Sequence, residues 1–222
     1  MSSIHSFTHN LFSEHCYVVE GEKGRCVIID PGCYSEDEKE ELRSYIKDNG
    51  LKVEAILLTH GHVDHTFFVK GLLDLAGDIP VYMGSADRTF FLYNARMCGK
   101  LGLAIPDYGF RTDDAKDGMV ISAAGLEFKV ITTPGHSPGS VCYLIGDEGI
   151  MFTGDTLFAG TIGRTDLEYG DYDDEIRSIM EKLIWLDPAI TIYPGHGQPS
   201  SIGVERSGNP FLEPFNEKEE LE

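Results

Sequence analysis

The chain has 222 residues, enough for one large domain or two small ones. Its 37 acidic against 18 basic residues give a net charge of −19, which argues against nucleic acid or an anionic membrane as a partner. Hydrophobic residues make up 41% of the chain, and no apolar run approaches the roughly 18 residues of a membrane span. Five scattered cysteines without a C-x-x-C pair, and the lack of a signal-peptide pattern, lead us to expect reduced thiols and a cytoplasmic protein.

The spacing of apolar residues predicts strands and helices in alternation along the chain. The predicted strands are, in order, 16–19, 26–29, 53–58, 81–83, 119–121, 126–132, 141–145, 150–152 and 190–193. The predicted helices lie between Ser35 and Gly50, over 66–76, from Ser85 to about Lys100, and over 173–186. Residues 101–118 read as an irregular loop, either a wall of a substrate cleft or a plain surface connection. No linker or composition break interrupts this order, so we predict one α/β domain with two sheets and outer helices.

One loop carries a high density of side chains that bind metals. The stretch Thr59–His65 places three imidazoles and a carboxylate directly after a predicted buried strand. His60 and His62 are two apart, so in an extended chain they point to the same side, whereas Asp64 and His65 are adjacent and must diverge. One loop therefore offers ligands in two directions, which suits two neighbouring metal ions. Imidazole and carboxylate without thiolate suit zinc most readily, with iron or manganese as alternatives.

Three further candidate ligands follow predicted strands and lie beside glycines: His136, Asp155 and His196. Glycine allows close backbone approach at such turns, and α/β sheets gather their ligands at the carboxyl ends of strands. The histidines outside these loops are interpreted as surface or hairpin residues: His5, His9 and His15. Cys33 is interpreted as a packing residue rather than a nucleophile, because no base partner can be assigned to it.

Four stretches carry a resemblance to a known family: Thr59–His65, Thr133–Gly139, Thr153–Phe158 and Tyr193–Gly197. With them the chain resembles the metallo-β-lactamase-fold hydrolases, and within these the glyoxalase II-like (hydroxyacylglutathione hydrolase-like) group. The resemblance implies a four-layer αββα sandwich in a single domain that spans residues 1–222. The C-terminal helical domain that binds glutathione in classical glyoxalase II is missing, so the chain resembles the shorter, single-domain branch.

The resemblance also implies how two divalent metal ions are held. His60, His62 and His136 would bind one metal, and Asp64, His65 and His196 the other, with Asp155 bridging. Asp64 and Asp155 are therefore the candidate catalytic carboxylates. A cysteine in place of Asp155 would point towards the lactamases themselves, and aspartate points away from them.

A cation that helps bind the glutathione carboxylate is often found after the Thr153–Phe158 motif in this family, and Arg164 occupies that place. We expect Arg164 to bind the substrate, with a structural ion pair as the alternative. The tyrosine expected shortly after it is absent, and Tyr169 or Tyr172 is a candidate substitute. The acyl group and the thiol carrier stay open.

The sequence thus predicts a thioesterase in which a hydroxide shared by two metals attacks the carbonyl of a small-molecule thioester. It predicts no nucleic-acid or membrane partner and leaves the oligomeric state open. The alternatives are a persulfide dioxygenase with one iron bound by two His and one Asp, a lactonase, and a non-catalytic metal-binding protein. The last of these is expected to have lost ligands, and none is lost here.

Overall fold

The computed structural model describes residues 2–212 and places them in two six-stranded sheets. The acidic tail from Glu213 lies outside the described residues. The first sheet contains β1 Ser3–His9, β2 Glu14–Glu20, β3 Arg25–Ile29, β4 Lys52–Leu57, β5 Val81–Met83 and β6 Asp113–Asp114, in that spatial order. Strands β1 to β3 pair antiparallel, and β3 to β6 pair parallel.

The second sheet contains β7 Val120–Ala123, β8 Leu126–Thr132, β9 Val141–Ile145, β10 Ile150–Gly154, β13 Thr191–Pro194 and β14 Ser200–Ser201. A small separate hairpin is formed by β11 Leu157–Phe158 and β12 Thr161–Ile162. Strands β7 to β10 form an antiparallel meander, and β13 joins β10 in parallel. This parallel pairing places the ends of β10 and β13, and hence Asp155 and His196, at the same edge.

Five α-helices accompany the sheets in the described part of the chain. They are α1 Glu36–Asp48, α2 Val69–Ala76, α3 Phe90–Leu101, α4 Tyr172–Ser178, which continues as a wider π-helical segment over Ile179–Leu183, and α5 Ile202–Gly208. Residues Val63–His65 and Ser85–Thr89 form 3₁₀ turns. None of the helices within residues 2–212 is long and apolar enough to span a bilayer.

The inner strands β2, β3, β9 and β10 are buried on both faces, and their side chains alternate between two cores. In β2, Cys16 and Val18 pack with α1 and α2, whereas Tyr17 and Val19 pack against the second sheet. On the far side, a third apolar cluster joins the second sheet to α4 and α5. Successive side chains of a strand point to opposite faces, so this period-two pattern separates helix, sheet, sheet and helix layers. The predicted single-domain αββα sandwich is confirmed.

Some helices and strands differ from those predicted, because turns and strand pairing that the spacing of apolar residues does not show also determine them. The second predicted helix starts at Val69, because residues 63–65 form a 3₁₀ turn that places the ligands. Leu75 at its end is 52% exposed, although its spacing predicts a buried side chain. Strand β1 was not predicted, because only Phe7 and His9 within it are buried. It is fixed by pairing with β2 along its whole length.

Glu38 ties the start of α1 to the β1–β2 connection. Its carboxylate accepts N–H bonds from Asn10 at 2.8 Å, Tyr34 at 2.7 Å and Ser35 at 2.8 Å. The Ser35 side chain accepts from the Glu38 N–H in return, which completes a capping box at the start of α1. Burial alone would raise the pKa of Glu38, but these bonds hold it below its ordinary value.

We expect Glu38→Ala to lower the free energy of unfolding by about 1 kcal/mol at pH 7, because three backbone donors lose their acceptor. The folded-state pKa is lowered, so this stabilisation is complete above the ordinary pKa of 4.5 and disappears as the pH falls below it. Urea unfolding of the wild type and the variant, at pH 7 and again below pH 4.5, measures the difference in the free energy of unfolding. Asp37→Ala is the control, since it removes an exposed acid from the same helical turn. An equal loss from both variants would contradict the assignment.

Candidate metal centre

All seven predicted ligand residues meet at one edge of the two sheets. They are His60, His62, Asp64, His65, His136, Asp155 and His196. Their loops follow β4, β8, β10 and β13, so each ligand stands at the carboxyl end of a buried strand. The donor atoms form overlapping groups of three, and within each group they lie within 4.8 Å of one another.

The first group is made of three imidazoles, those of His60, His62 and His136. All three are buried, none more than 5% exposed. His62 Nδ1 lies 2.9 Å from His136 Nε2, so two ring nitrogens from separate loops face each other. The group is a convergent set of nitrogen donors.

The second group is Asp64, His65 and His196, which offers two imidazoles and one carboxylate. Asp64 Oδ2 lies 3.5 Å from His196 Nε2 and 3.9 Å from His65 Nε2. His65 is fully buried, whereas the side chain of His196 is 25% exposed. This group therefore faces the open side of the centre.

Asp155 lies between the two groups. Its Oδ2 is 3.6 Å from His136 Nε2 in the first group and 3.5 Å from His196 Nε2 in the second. Its Oδ1 is 3.5 Å from His65 Nε2. A β-carbon on Gly195 would stand 2.3 Å from that Oδ1, so the loop before His196 can lie this close only because it has a glycine. This placement is the one required of a ligand shared by two ions.

Three buried, inward-facing atoms of the centre have no hydrogen-bond partner in the described part of the chain: His60 Nε2, His65 Nε2 and Asp155 Oδ1. An unsatisfied buried polar atom costs about 1–3 kcal/mol, so a cluster of them needs a compensating partner. Imidazole and carboxylate donors at these separations fit divalent transition metals.

Four imidazoles have their Nδ1 atom held from outside the cluster. The pairs are His60 with Thr59 Oγ1 at 3.1 Å, His65 with Asp30 Oδ2 at 3.0 Å, His136 with the Arg164 carbonyl at 2.8 Å, and His196 with the Phe12 carbonyl at 3.1 Å. An Nδ1–H that donates outward leaves the Nε2 lone pair facing inward, as a metal ligand requires. The rings are therefore oriented by the protein alone.

Asp30 connects two of these rings. Besides His65, its carboxylate accepts the Thr59 N–H at 2.7 Å and the Thr59 hydroxyl at 2.6 Å, and Thr59 in turn accepts from His60. Asp30 has a φ of +48°, a left-handed conformation that aspartate tolerates better than most residues. Asp30 therefore orients one ligand ring directly and a second one through Thr59.

Burial keeps two imidazoles of the first group, those of His60 and His62, neutral. It lowers the pKa of His60 well below 6.5 and that of His62 to about 3, with neighbouring imidazoles adding to the effect. Neutral imidazole is the form that binds a metal. No proton has to leave these two rings at neutral pH.

The second group is strongly charged. Burial would raise the pKa values of Asp64 and Asp155, but the neighbouring imidazoles lower both, that of Asp155 well below its usual range. Burial would likewise lower the pKa of His196, but the two carboxylates raise it to about 11. Here protons and cations compete for the same donors, so metal binding at this group releases protons.

The centre opens where Asp64, Asp155 and His196 keep side-chain exposures of 14%, 12% and 25%. Aromatic rings cover the first group on the other side. Phe90 packs edge-on against His62 at 4.9 Å and carries Tyr169 at 5.5 Å. The irregular loop 101–118 contributes Tyr108, which contacts Thr66 just after the ligand loop.

Arg164 serves the centre through its backbone, since its carbonyl orients His136. Its side chain is 62% exposed and forms a two-pronged pair with Asp166, with both N–O distances 2.8 Å. The alternative of an ion pair is thus present in the structure, and substrate binding by Arg164 stays a prediction. Of the two candidate tyrosines, Tyr169 packs against the Phe90 ring, and Tyr172 begins α4.

Three buried carboxylates beside the ligands were missed by sequence reasoning. Glu14 on β2 lies 4.0 Å from His65, Asp87 accepts the Gly61 N–H at 2.8 Å, and Glu175 on α4 accepts the His136 N–H at 2.8 Å. Burial raises the pKa of Glu175 to about 8. Their positions carry no local motif, because each reaches the centre from a separate element.

His9 is not a surface residue, because it is 1% exposed at the end of β1. Its Nδ1 lies 3.2 Å from the Cys33 sulfur, so the structure supplies the base partner that the sequence could not assign. Cys33 itself is fully buried, as predicted for a packing residue. Neither side chain belongs to the metal groups.

Comparison with known proteins agrees with this geometry. Residues 9–196 match the profile of the Metallo-beta-lactamase superfamily. The chain belongs to this superfamily. An uncharacterized protein of Mycobacterium tuberculosis is 38% identical over 95% of this chain and 97% of its own length. The hydroxyacylglutathione hydrolase GloC of Haemophilus influenzae is 35% identical over 90% of this chain and 93% of its own.

Two solved structures of the superfamily are also similar. The BLEG-1 B3 metallo-beta-lactamase superposes with a TM-score of 0.85 at 32% identity, covering 95% of this chain and 99% of that one. TTHA1623 in a di-iron-bound form gives 0.82 at 36%, covering 94% and 100%. Together with the His and Asp cluster, membership makes the protein a metal-dependent hydrolase.

We expect Asp155→Asn to reduce the metal content from two equivalents per chain to one, because the amide keeps the shape but lacks the charge between the groups. Elemental analysis after dialysis measures the stoichiometry. Asp147→Asn, an exposed position in a 3₁₀ turn, is the control and should keep both equivalents. Full metal content in Asp155→Asn would remove the bridging assignment.

Proposed function

We propose that the protein is a glyoxalase II-like thioesterase with two divalent metals, most readily zinc. The observation that carries the proposal is the position of Asp155 between two donor groups, each able to hold an ion. The likeness to GloC supports a thioester substrate. The likeness to a di-iron protein supports a pair of metals and keeps iron as an alternative, beside manganese.

His60, His62 and His136 would hold one metal, and Asp64, His65 and His196 the other, with Asp155 shared. Divalent metals supply a water-derived nucleophile near neutral pH and polarise a carbonyl group. The chain supplies two carboxylates against four positive charges, so the loaded centre keeps a positive charge for a carbonyl oxygen. Salt screens the protein's charge of −19 beyond about 8 Å, so that charge does not repel a substrate close to the centre.

The chain's own residues shape where the substrate binds. The first group is sealed by Phe90, so the substrate approaches over Asp64, Asp155 and His196. Arg164 stands beside the centre, and its partner Asp166 is 70% exposed. Exposed ion pairs contribute little to stability, so the carboxylate of a substrate can replace Asp166 at low cost. Arg164 would then bind the substrate and keep its acyl group over the metals.

A second candidate is a persulfide dioxygenase with a single iron. The specific observation is that two donor sets each combine two His and one Asp, the ligand type of non-heme iron oxygenases. One set is Asp64, His65 and His196, and the other is His60, His65 and Asp155. A lactonase or a β-lactamase would use the same centre with a differently shaped pocket.

Elemental analysis combined with a substrate panel tests the function. We expect two metal equivalents and hydrolysis of acyl-thioesters at least tenfold faster, in kcat/KM, than that of lactones or a β-lactam. Asp155→Asn should lose more than 99% of this activity. One iron per chain with oxygen uptake on a glutathione persulfide would replace the proposal by the second candidate.

For Arg164→Ala we expect KM for an anionic thioester to rise about tenfold, with kcat within a factor of two, because only a binding contact is lost. Asp166→Ala is the matched variant: it frees the guanidinium and should lower KM. A neutral thioester should respond to neither change. An unchanged KM in both variants would leave Arg164 with its backbone role alone.

A further inference from the structure

Asp87 is a fully buried carboxylate in the 3₁₀ turn Ser85–Thr89. Its Oδ2 accepts the Gly61 N–H at 2.8 Å and the Ser137 hydroxyl at 2.7 Å, and its Oδ1 accepts the Gly139 N–H at 2.6 Å. Gly61 separates His60 from His62, and Ser137 directly follows His136. One side chain thus binds both loops that carry the first metal group.

The backbone of both loops approaches Asp87 closely. A β-carbon on Gly61 would lie 2.9 Å from the Asp87 Cβ, and one on Gly139 would lie 2.7 Å from its carboxyl carbon. Neither distance is possible for a real side chain, so the two loops lie flush against the carboxylate. Their separation is fixed by this one group.

Helix α3, which follows Asp87 in the chain, also holds the carbonyl group of Gly61. Asn94, fully buried in α3, donates its Nδ2 hydrogen to the Gly61 carbonyl at 2.8 Å. Phe90, one turn earlier, packs against His62. The peptide groups on both sides of the Gly61 Cα therefore cannot rotate without breaking a hydrogen bond, and these two peptides link His60 to His62.

A buried carboxylate is costly unless its charge is compensated. No cationic side chain pairs with Asp87 within residues 2–212, and its partners are neutral donors. A divalent ion between His60, His62 and His136 would supply a positive charge on the far side of the two loops that Asp87 holds. The carboxylate and the ion would stabilise each other across the two loops.

We propose that Asp87 is a positioning residue that fixes the two loops of the His60–His62–His136 group and thereby sets its metal affinity. The proposal depends on metal binding by this group and does not depend on the thioester substrate. Asp87 touches no reacting atom, and its effect passes through the peptides of Gly61 and Gly139. Outer partners of metal ligands typically change affinity by about 10- to 100-fold.

The test is Asp87→Asn, whose amide nitrogen cannot accept a hydrogen bond, so one of the two loops loses its anchor. Zn²⁺ titration against a competing chelator should show one of two equivalents weakened about 10- to 100-fold and the other by less than threefold. In the Co²⁺-loaded variant, the visible absorption bands of that one equivalent should shift. Two unchanged affinities would overturn the proposal.

Glu205→Gln is the matched control. Glu205 is also a buried carboxylate, 1% exposed, which accepts the Gly160 N–H at 2.8 Å and the Asn209 amide at 2.9 Å. It bonds no residue adjacent to a ligand. Its loss should lower the urea midpoint equally with and without metal, whereas Asp87→Asn should lower it further in the Zn²⁺-loaded protein. Equal losses for Asp87→Asn would show a merely structural role.

Ser137→Ala keeps the test decisive if Asp87→Asn does not fold. It removes one of the three bonds to Asp87 and leaves the charge in place. We expect a two- to fivefold loss of affinity confined to the same metal equivalent. A loss spread evenly over both equivalents, or none, would contradict the proposal.

Discussion

The structure depends on seven polar side chains that face one another inside a protein, where burial makes unpaired polar atoms costly. Two imidazole nitrogens and one carboxylate oxygen that face the centre have no partner within residues 2–212. Two sheets make this arrangement possible, because each delivers ligand loops from strand ends that meet at one edge. Metal ions that pair with these atoms would stabilise the folded chain, which couples metal binding to the stability of the fold.

The imidazole rings are oriented by hydrogen bonds to groups outside the centre. Asp30, Thr59 and two backbone carbonyls hold four Nδ1 atoms, so ring direction does not depend on the metal. His62 is the exception, because its Nδ1 faces His136. Its position comes instead from the backbone of Gly61, whose N–H is held by Asp87 and whose carbonyl is held by Asn94. Buried second-layer bonds of this kind reduce the reorganisation that binding requires.

The seven candidate ligands, which the structure brings together, could be picked out in the sequence because each lies in a short local pattern of apolar strand, glycine and ligand-type side chain. The layers could be predicted for the same reason, since strands buried on both faces read as continuous apolar runs. Asp87, Glu14 and Glu175 could not be found, because their partners are 26 or more residues away and no spacing marks them. The burial of His9 could not be predicted either, because its ring contacts Cys33 and Glu41, which lie on other elements.

The two donor groups differ in their protonation and solvent access, and both properties affect how readily each group binds a metal ion. His60 and His62 are neutral in the folded chain and have no access to solvent, so an ion there meets little competition from protons. Around His196 the carboxylates already hold a proton in place, and an ion must displace it. As the pH falls, an ion held by the second group would therefore be lost before one held by His60 and His62. The proposed centre would thus combine a buried donor group with one that is open to solvent.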